Sequence, residues 1–172
     1  MEKVRWGVLG TAYIFERDTA RGMALADNCE LVAIAGRTLE KAEAFRKKYG
    51  FRKAYGSYEE LLKDPEVEAV YIPLPNQLHC EWTVRALQYG KHVLCEKPLA
   101  LNAEQARKMF RTASETHVLL MGVQLVHGNL VFLVVGGLAV PDYLVLHVAD
   151  ALALGSIHQD GSGGACLGVE IL

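Results

Sequence analysis

The sequence predicts an α/β fold in which a doubly wound parallel sheet carries helices on both faces. Continuous apolar runs of strand length, such as residues 31–35 and Ala69–Ile72, are typical of parallel strands that are covered on both sides. These runs alternate with longer segments of helical period, which indicates right-handed crossovers between the strands. The alternation stops near Met121, and only a short, incomplete C-terminal segment follows.

The first half of this predicted domain contains two strands and two helices. Val4–Leu9 is predicted to be a strand, and residues 13–23 have the length and apolar spacing of the helix after it. Residues 31–35 are the second strand. The next helix covers Leu39–Tyr49 and ends at Gly50, because glycine readily adopts the left-handed conformation that terminates helices.

The second half continues the same alternation. Ser57 and Glu60 form a capping box that opens a short helix, and Pro65 stops it. The remaining elements are the strand Ala69–Ile72, a helix over residues 78–89, the strand His92–Cys95, a helix over residues 102–115 capped by Asn102, and a strand over residues 118–121. This order of elements predicts a Rossmann-like architecture.

Composition excludes several classes of protein. The chain has 172 residues, 51% of them hydrophobic, and its formal net charge of −2 provides no field for a nucleic acid. Four widely spaced cysteines without a C-x-x-C pair indicate reduced thiols, and we predict no metal site. The N-terminus lacks the apolar stretch of a signal peptide. We therefore expect a cytoplasmic protein.

The loop after the first strand is a candidate pyrophosphate site. Ligands of parallel sheets bind beyond the carboxyl ends of the strands, and a helix N-terminus offers unpaired amides to phosphate. The residues in the place of a G-x-G-x-x-G turn are Gly10, Thr11, Ala12, Tyr13, Ile14 and Phe15. Only Gly10 matches strictly, because Ala12 adds a methyl group and Phe15 is bulky. A plain strand-to-helix turn is the alternative.

The loop after the second strand favours NADP over NAD. Enzymes that use NAD usually place an acidic residue here to bind the ribose 2′-hydroxyl group. This sequence has Arg37 instead, whose guanidinium can pair with a 2′-phosphate and stack on adenine. Thr38 and Lys41 lie within one helical turn of it. The alternative is a solvated arginine beside a threonine N-cap.

Two further loops end where the nicotinamide is expected. Their candidate residues are Leu74, Pro75, Asn76 and His79 in one loop, and Glu96, Lys97 and Pro98 in the other. Lys97 is the candidate catalytic residue, because a lysine beside a bound cofactor can polarise a carbonyl group or exchange a proton with a hydroxyl. A cis peptide bond before Pro98 would fix the direction of that side chain. For His79, the alternative is a histidine on a helix face.

Four blocks of sequence carry a resemblance to a known family. They read WGVLGTA at residues 6–12, AYGSYEELL at 54–62, PLPN at 73–76 with His79, and EKP at 96–98. Together they resemble the glucose-fructose oxidoreductase, inositol dehydrogenase and MocA family over about residues 4 to 121. The resemblance implies NAD(P)-dependent hydride transfer on a sugar, polyol or related alcohol. It implies that Lys97 lies at the reacting hydroxyl and that Asn76 and His79 lie near the nicotinamide ribose.

The chain after Met121 departs from that family. All 18 lysines and arginines lie at or before Arg111, and the substrate-side residues of the family are absent. We therefore divide the chain into an NAD(P)-binding domain at residues 1–121 and a remnant or altered start of a substrate domain at residues 122–172. A partial domain, a truncation and a frame change all fit this pattern. The apolar surface of such a segment predicts a homo-oligomer or a poorly soluble chain.

Two alternatives remain open for the chain as a whole. Residues 118–141 carry no charged side chain and are long enough to span a membrane, but polar residues interrupt them and no basic anchors flank the far end. A membrane partner is therefore disfavoured.

The predicted function is an NADP-preferring oxidoreductase acting on a small sugar or polyol. The alternative is a dinucleotide-binding module without catalysis, which would bind the cofactor without turnover.

Overall fold

The computed structural model describes residues 2–126, 129–135, 144–147 and 169–170. The strands are β1 (Val4–Leu9), β2 (Cys29–Ala35), β3 (Lys53–Tyr55), β4 (Ala69–Ile72), β5 (His92–Cys95), β6 (Leu120–Val126), β7 (Asn129–Val135), β8 (Leu144–His147) and β9 (Val169–Glu170). The helices are α1 (Ala20–Leu25), α2 (Leu39–Tyr49), α3 (Tyr58–Leu62), α4 (Asn76–Gln88) and α5 (Ala103–Thr116), and a π-helical turn, Phe15–Thr19, precedes α1.

The described strands form one sheet in the order β3-β2-β1-β4-β5-β6-β7-β8-β9. From β3 to β6 every neighbouring pair is parallel, which confirms the predicted doubly wound sheet. The strands β7 to β9 are antiparallel additions at one edge. The chain builds β1, β2 and β3 towards one edge of the sheet, then returns to place β4 on the other side of β1 and continues in the opposite direction. The strand order therefore reverses between β1 and β4. Such a switch point leaves a crevice where ligands of α/β proteins bind.

Two apolar clusters cover the two faces of the sheet. One cluster contains Val70 together with side chains of α3, α4 and α5. The other contains Tyr71 together with Phe15 from the π-helical turn and Met23 from α1. Val70 and Tyr71 are consecutive residues of β4, so their side chains point to opposite faces of the sheet. Because each packs in a different cluster with helical residues, helices cover both faces, as predicted.

The predicted helix caps are present in the structure. The Oγ1 of Thr38 accepts a hydrogen bond from the amide of Lys41 at 3.4 Å, and Asn102 accepts one from the Gln105 amide at 2.9 Å. Ser57 and Glu60 form both bonds of the capping box. At the other end of α2, Gly50 adopts a φ of 77°, the left-handed conformation predicted for it.

Some element boundaries differ from the sequence prediction. The strand β3 is missed because it has only three residues, one of them a lysine, and lies at the edge of the sheet. Helix α4 begins at Asn76 instead of residue 78, with Pro75 as its N-cap. The strand β6 covers Leu120–Val126 instead of residues 118–121. The division of the chain at residue 121 stays a prediction.

The apolar tract of residues 118–141 contains all of β6 and β7, and its residues 127–128 and 136–141 lie outside the described part of the chain. Within the described ranges, no helix combines the length and the hydropathy needed to cross a bilayer. Cys29, Cys80 and Cys95 are free thiols, whereas Cys166 lies outside the described part of the chain.

Candidate functional site

The predicted site loops follow four strands that are neighbours in the sheet. Arg37 follows β2, Gly10 follows β1, Asn76 follows β4 and Lys97 follows β5, and the strand order is β2-β1-β4-β5. The carboxyl ends of parallel strands lie at one edge, so the four loops form a continuous row across the switch point. Sequence reasoning placed each loop at a strand end, but the strand pairing determines their order.

The turn at Gly10 has a backbone that requires glycine. Gly10 adopts a φ of 116°, and a Cβ added there would lie 2.8 Å from Leu74 Cδ2. Gly36 is close to the same turn, since a Cβ on it would lie 3.4 Å from Thr11 Cγ2. The loops after β1, β2 and β4 therefore pack closely, because the two glycines leave room for the side chains of Leu74 and Thr11.

A π-helical turn follows the glycine and accommodates Phe15. The amide of Ala20 donates to the carbonyl of Phe15, five residues earlier, instead of closing an ordinary α-helical turn. The Phe15 ring is fully buried, 5.2 Å from the Tyr49 ring centroid and 5.8 Å from that of Phe51. The bulky residue that breaks the glycine pattern is thus a core residue, and the helix begins with a wider turn.

The adenosine end of the predicted site carries exposed positive charge. Arg37, Thr38 and Lys41 are all solvent-exposed, and neither Arg37 nor Lys41 forms an ion pair with the described residues. The threonine N-cap expected as an alternative is present. It does not remove Thr38 from the site, because the hydroxyl oxygen accepts from Lys41 while its proton remains available to donate.

A chain of buried hydrogen bonds supports the loop after β5. Tyr71, 1% exposed, donates its hydroxyl to Glu96 Oε1 at 2.7 Å and accepts from Thr19 Oγ1 at 3.0 Å. The second oxygen of Glu96 accepts from the Lys97 amide at 3.1 Å. Burial and Glu96 together raise the pKa of the Tyr71 hydroxyl well above its ordinary value, so Tyr71 remains a donor to the carboxylate.

Lys97 is exposed at the end of this chain. Its backbone is held through Glu96, whereas its side-chain amine makes no hydrogen bond to the described residues. Hydrogen bonds from Arg17 lower the pKa of Asp18, and the charge of Lys97 adds to that effect, which places Asp18 in the same region. The Lys97–Pro98 peptide bond is cis, as predicted.

His79 connects two of the site loops through its two ring nitrogens. The ring is fully buried on α4, with Nε2 2.7 Å from the Leu74 carbonyl oxygen and Nδ1 2.8 Å from that of Pro98. Both nitrogens are thus engaged by backbone, and neither is free for a cofactor. His79 therefore lies on a face of α4, as the alternative interpretation expected. It contributes to the site by connecting the loops that contain Leu74 and Pro98.

The remaining predicted residues divide by exposure. Pro75, Asn76, Tyr13 and Pro98 are exposed, with Tyr13 at 70%, while Thr11, Ala12 and Ile14 are half-buried. Leu74 and Glu96 are buried and act as supports. The structure therefore brings the predicted residues to one edge, but only part of them faces solvent where a ligand would bind.

Three residues near the site were not predicted from the sequence. They are Tyr71, which donates to Glu96, Thr19, which donates to Tyr71, and Tyr58, whose hydroxyl lies near Gly10. Tyr71 lies within an apolar run and carries no local signal of a polar role. Tyr58 does carry one, because it follows the Ser57 cap, and a helix that starts after a parallel strand begins at the ligand-binding edge.

Comparison with known proteins agrees with this geometry. The family model described as "Oxidoreductase family, NAD-binding Rossmann fold" matches residues 4–124. The uncharacterized oxidoreductase ORF334 of Rhizobium meliloti is 49% identical over 116 residues, which are 67% of this chain and 35% of that protein. The 1,5-anhydro-D-fructose reductase of Ensifer adhaerens is 42% identical over 116 residues, 67% of this chain and 34% of that protein.

A solved structure shares both the fold and the sequence of this region. The 3-ketoreductase KijD10 from Actinomadura kijaniata, in complex with TDP-benzene and NADP, superposes with a TM-score of 0.68 at 41% identity. The match covers 70% of this chain and 38% of KijD10. The chain thus spans about a third of the length of the relatives it matches.

Proposed function

The chain belongs to the Gfo/Idh/MocA family of oxidoreductases, with residues 4–124 as its NAD-binding Rossmann domain, and from this premise we propose an NADP-preferring oxidoreductase. Its substrate would be a sugar, polyol or related alcohol. The observation that carries the proposal is the exposed Lys97 side chain beside a buried, hydrogen-bonded Glu96 at the switch-point edge. The sugar reductase and 3-ketoreductase among its relatives support this substrate class.

The cofactor preference rests on the loop after β2. Arg37 has no acidic partner among the described residues, so its guanidinium is free to pair bidentately with a 2′-phosphate. Thr38 can add a hydroxyl donor and Lys41 a second positive charge. Binding of NADP in the KijD10 structure supports this preference, and the absence of an acidic residue directly after β2 removes the usual partner of an NAD ribose.

Lys97 would act as the acid or base. A bound nicotinamide supplies or accepts the hydride, and Lys97 would exchange a proton with the oxygen of the reacting carbon. Its backbone is held by Glu96, which Tyr71 anchors in turn, while His79 holds the Pro98 carbonyl. These supports restrict the loop, so the exposed amine can be directed at one position beside the cofactor.

The test combines binding with turnover in the full chain. NADPH and NADH are titrated by calorimetry, and sugars and polyols are then screened through the nicotinamide absorbance. We expect NADPH to bind more tightly and at least one polyol or sugar to be turned over. Lys97→Ala should reduce kcat by about 100-fold or more and leave the Kd for NADPH nearly unchanged.

Lys108→Ala is the matched control for that variant. Lys108 is an exposed lysine on α5, outside the site loops, so its loss should affect neither turnover nor NADPH binding. A Lys97→Ala variant that retains wild-type kcat would exclude the assigned acid or base. Failure of the wild-type chain to bind either cofactor would exclude the whole proposal.

A dinucleotide-binding module without catalysis is the second candidate function. One observation favours it: the predicted site residues follow the carboxyl ends of β1, β2, β4 and β5, which is where the dinucleotide would bind. Such a module would bind NADPH with the same dependence on Arg37. Binding without turnover of any sugar or polyol would favour it over the oxidoreductase.

A further inference from the structure

We propose that the hydroxyl of Tyr58 is a binding contact for the adenosine half of the dinucleotide, donating to a group that NAD and NADP share. This inference rests on the proposed cofactor binding and adds a residue that the glycine turn and Arg37 do not account for. Tyr58 is the first residue of α3 and follows the Ser57 cap. Its helix therefore begins at the edge of the sheet where the four site loops end.

The position of the hydroxyl is the first argument. Tyr58 Oη lies 3.9 Å from the point that a Cβ on Gly10 would occupy, so it stands beside the tight turn, next to the Leu74 side chain that packs on the same glycine. A pyrophosphate bound at this turn would lie near this hydroxyl group. Tyr58 is half-buried, and its Oη has no hydrogen-bond partner among the described residues.

The rigidity of the ring is the second argument. Tyr58 packs edge-to-face on Trp82, with ring centroids 4.9 Å apart and planes at 87°. The guanidinium of Arg85 lies 4.9 Å from the centroid of the same Trp82 ring. An aromatic side chain held in this way loses little conformational freedom when its hydroxyl binds a ligand, so a single hydrogen bond contributes more to affinity.

The charge around the hydroxyl determines what it binds. Burial raises the pKa of Tyr58, and the positive charge of Arg37 only partly offsets that rise, so the hydroxyl stays protonated at neutral pH. It is therefore available to donate to an acceptor. Since it lies beside the Gly10 turn, we assign it to oxygens of the adenosine ribose and the adjoining pyrophosphate, which NAD and NADP have in common.

The experiment is calorimetric titration of Tyr58→Phe in the full chain with NADPH and with NADH. The substitution keeps the ring on Trp82, so we expect an unchanged Tm. We expect both Kd values to rise by the same factor of about three to ten, the effect of one lost hydrogen bond. Tyr89→Phe is the control, because its exposed hydroxyl bonds Glu59 at 3.1 Å, outside the site loops.

Each outcome discriminates between the two proposals. Wild-type affinity of Tyr58→Phe for both cofactors overturns the role of Tyr58 and leaves the proposed function intact. Weakened binding of NADPH alone overturns the assignment to a shared group. A wild-type chain that binds neither cofactor overturns the proposed function and this contact together. An equal loss in Tyr89→Phe shows a general effect of removing a tyrosine hydroxyl and also refutes the assignment.

Discussion

Removing one hydroxyl from Tyr71 should measurably destabilise the protein. In Tyr71→Phe, Glu96 Oε1 loses the donor that lies 2.7 Å from it, and Glu96 is only 9% exposed. Water cannot readily replace the lost donor at a buried carboxylate. The substitution leaves the ring in its cluster with Phe15, so no large cavity forms and the hydrogen bond is the main change.

The expected magnitude follows from burial and charge. A hydrogen bond to a charged group contributes about 1.5–3 kcal/mol to stability, and leaving a buried acceptor unpaired places the loss in the upper part of that range. Thr19 loses its acceptor as well, but it is half-buried and solvent can partly replace Tyr71. We expect denaturant titration at neutral pH to show this decrease in the free energy of unfolding.

Tyr49→Phe provides a closely matched control. Tyr49 also donates to a carboxylate at 2.7 Å, but its partner Glu16 has a side chain that is 26% exposed and keeps a second bond from Lys48. Solvent and the lysine can compensate there, so this variant should lose clearly less stability. Equal losses in Tyr71→Phe and Tyr49→Phe would refute the argument that burial of Glu96 makes its support important.

Three further sets of variants test other features. Gly10→Ala places a Cβ 2.8 Å from the buried Leu74 side chain at a φ of 116°, and it should lower the free energy of unfolding by roughly 2 kcal/mol or more. Gly50→Ala, where the added Cβ would meet no atom within 4 Å, should lower the free energy of unfolding by only about 1 kcal/mol. Burial alone would raise the pKa of Asp64, but three hydrogen bonds to its carboxylate outweigh burial, so the net pKa lies below the ordinary value of 3.8. The ionised Asp64 therefore stabilises the fold above pH 3.8, and this contribution is lost as the pH falls through its lowered pKa. Asp64→Asn should therefore flatten the acid-induced loss of stability in denaturant titrations, and Asp27→Asn on the surface should not. Arg37→Ala should weaken NADPH binding about 10- to 100-fold and leave NADH binding unchanged in calorimetry, and equal losses for both cofactors would contradict a 2′-phosphate contact.

Elements with local signals could be predicted from the sequence. The strand Val4–Leu9 and the helix Leu39–Tyr49 have the predicted boundaries, because an apolar run marks the one and the Thr38 cap and Gly50 mark the other. The positions of the site loops followed from the same signals, since each comes directly after a strand. Local patterns were sufficient wherever the structure depends on neighbours in the chain.

Features that depend on distant contacts could not be predicted in this way. The π-helical turn accommodates Phe15 among rings contributed by α2 and β4, which no short window of sequence contains. The support of Glu96 depends on Tyr71, a residue of β4 that reads as part of a buried strand. For His79, the sequence indicated its place on α4, but the carbonyl groups of Leu74 and Pro98 come together only in the folded sheet.

These long-range contacts have a common consequence for the site. Leu74 packs against the Gly10 turn, His79 connects Leu74 to Pro98, and Glu96 holds the Lys97 amide, so three neighbouring loops are joined by the protein's own atoms. A site held by such contacts needs little reorganisation when a dinucleotide binds. Cofactor binding should therefore tolerate loss of the Lys97 side chain, which supports none of these contacts, and should be sensitive to loss of His79, whose buried ring connects two of the loops.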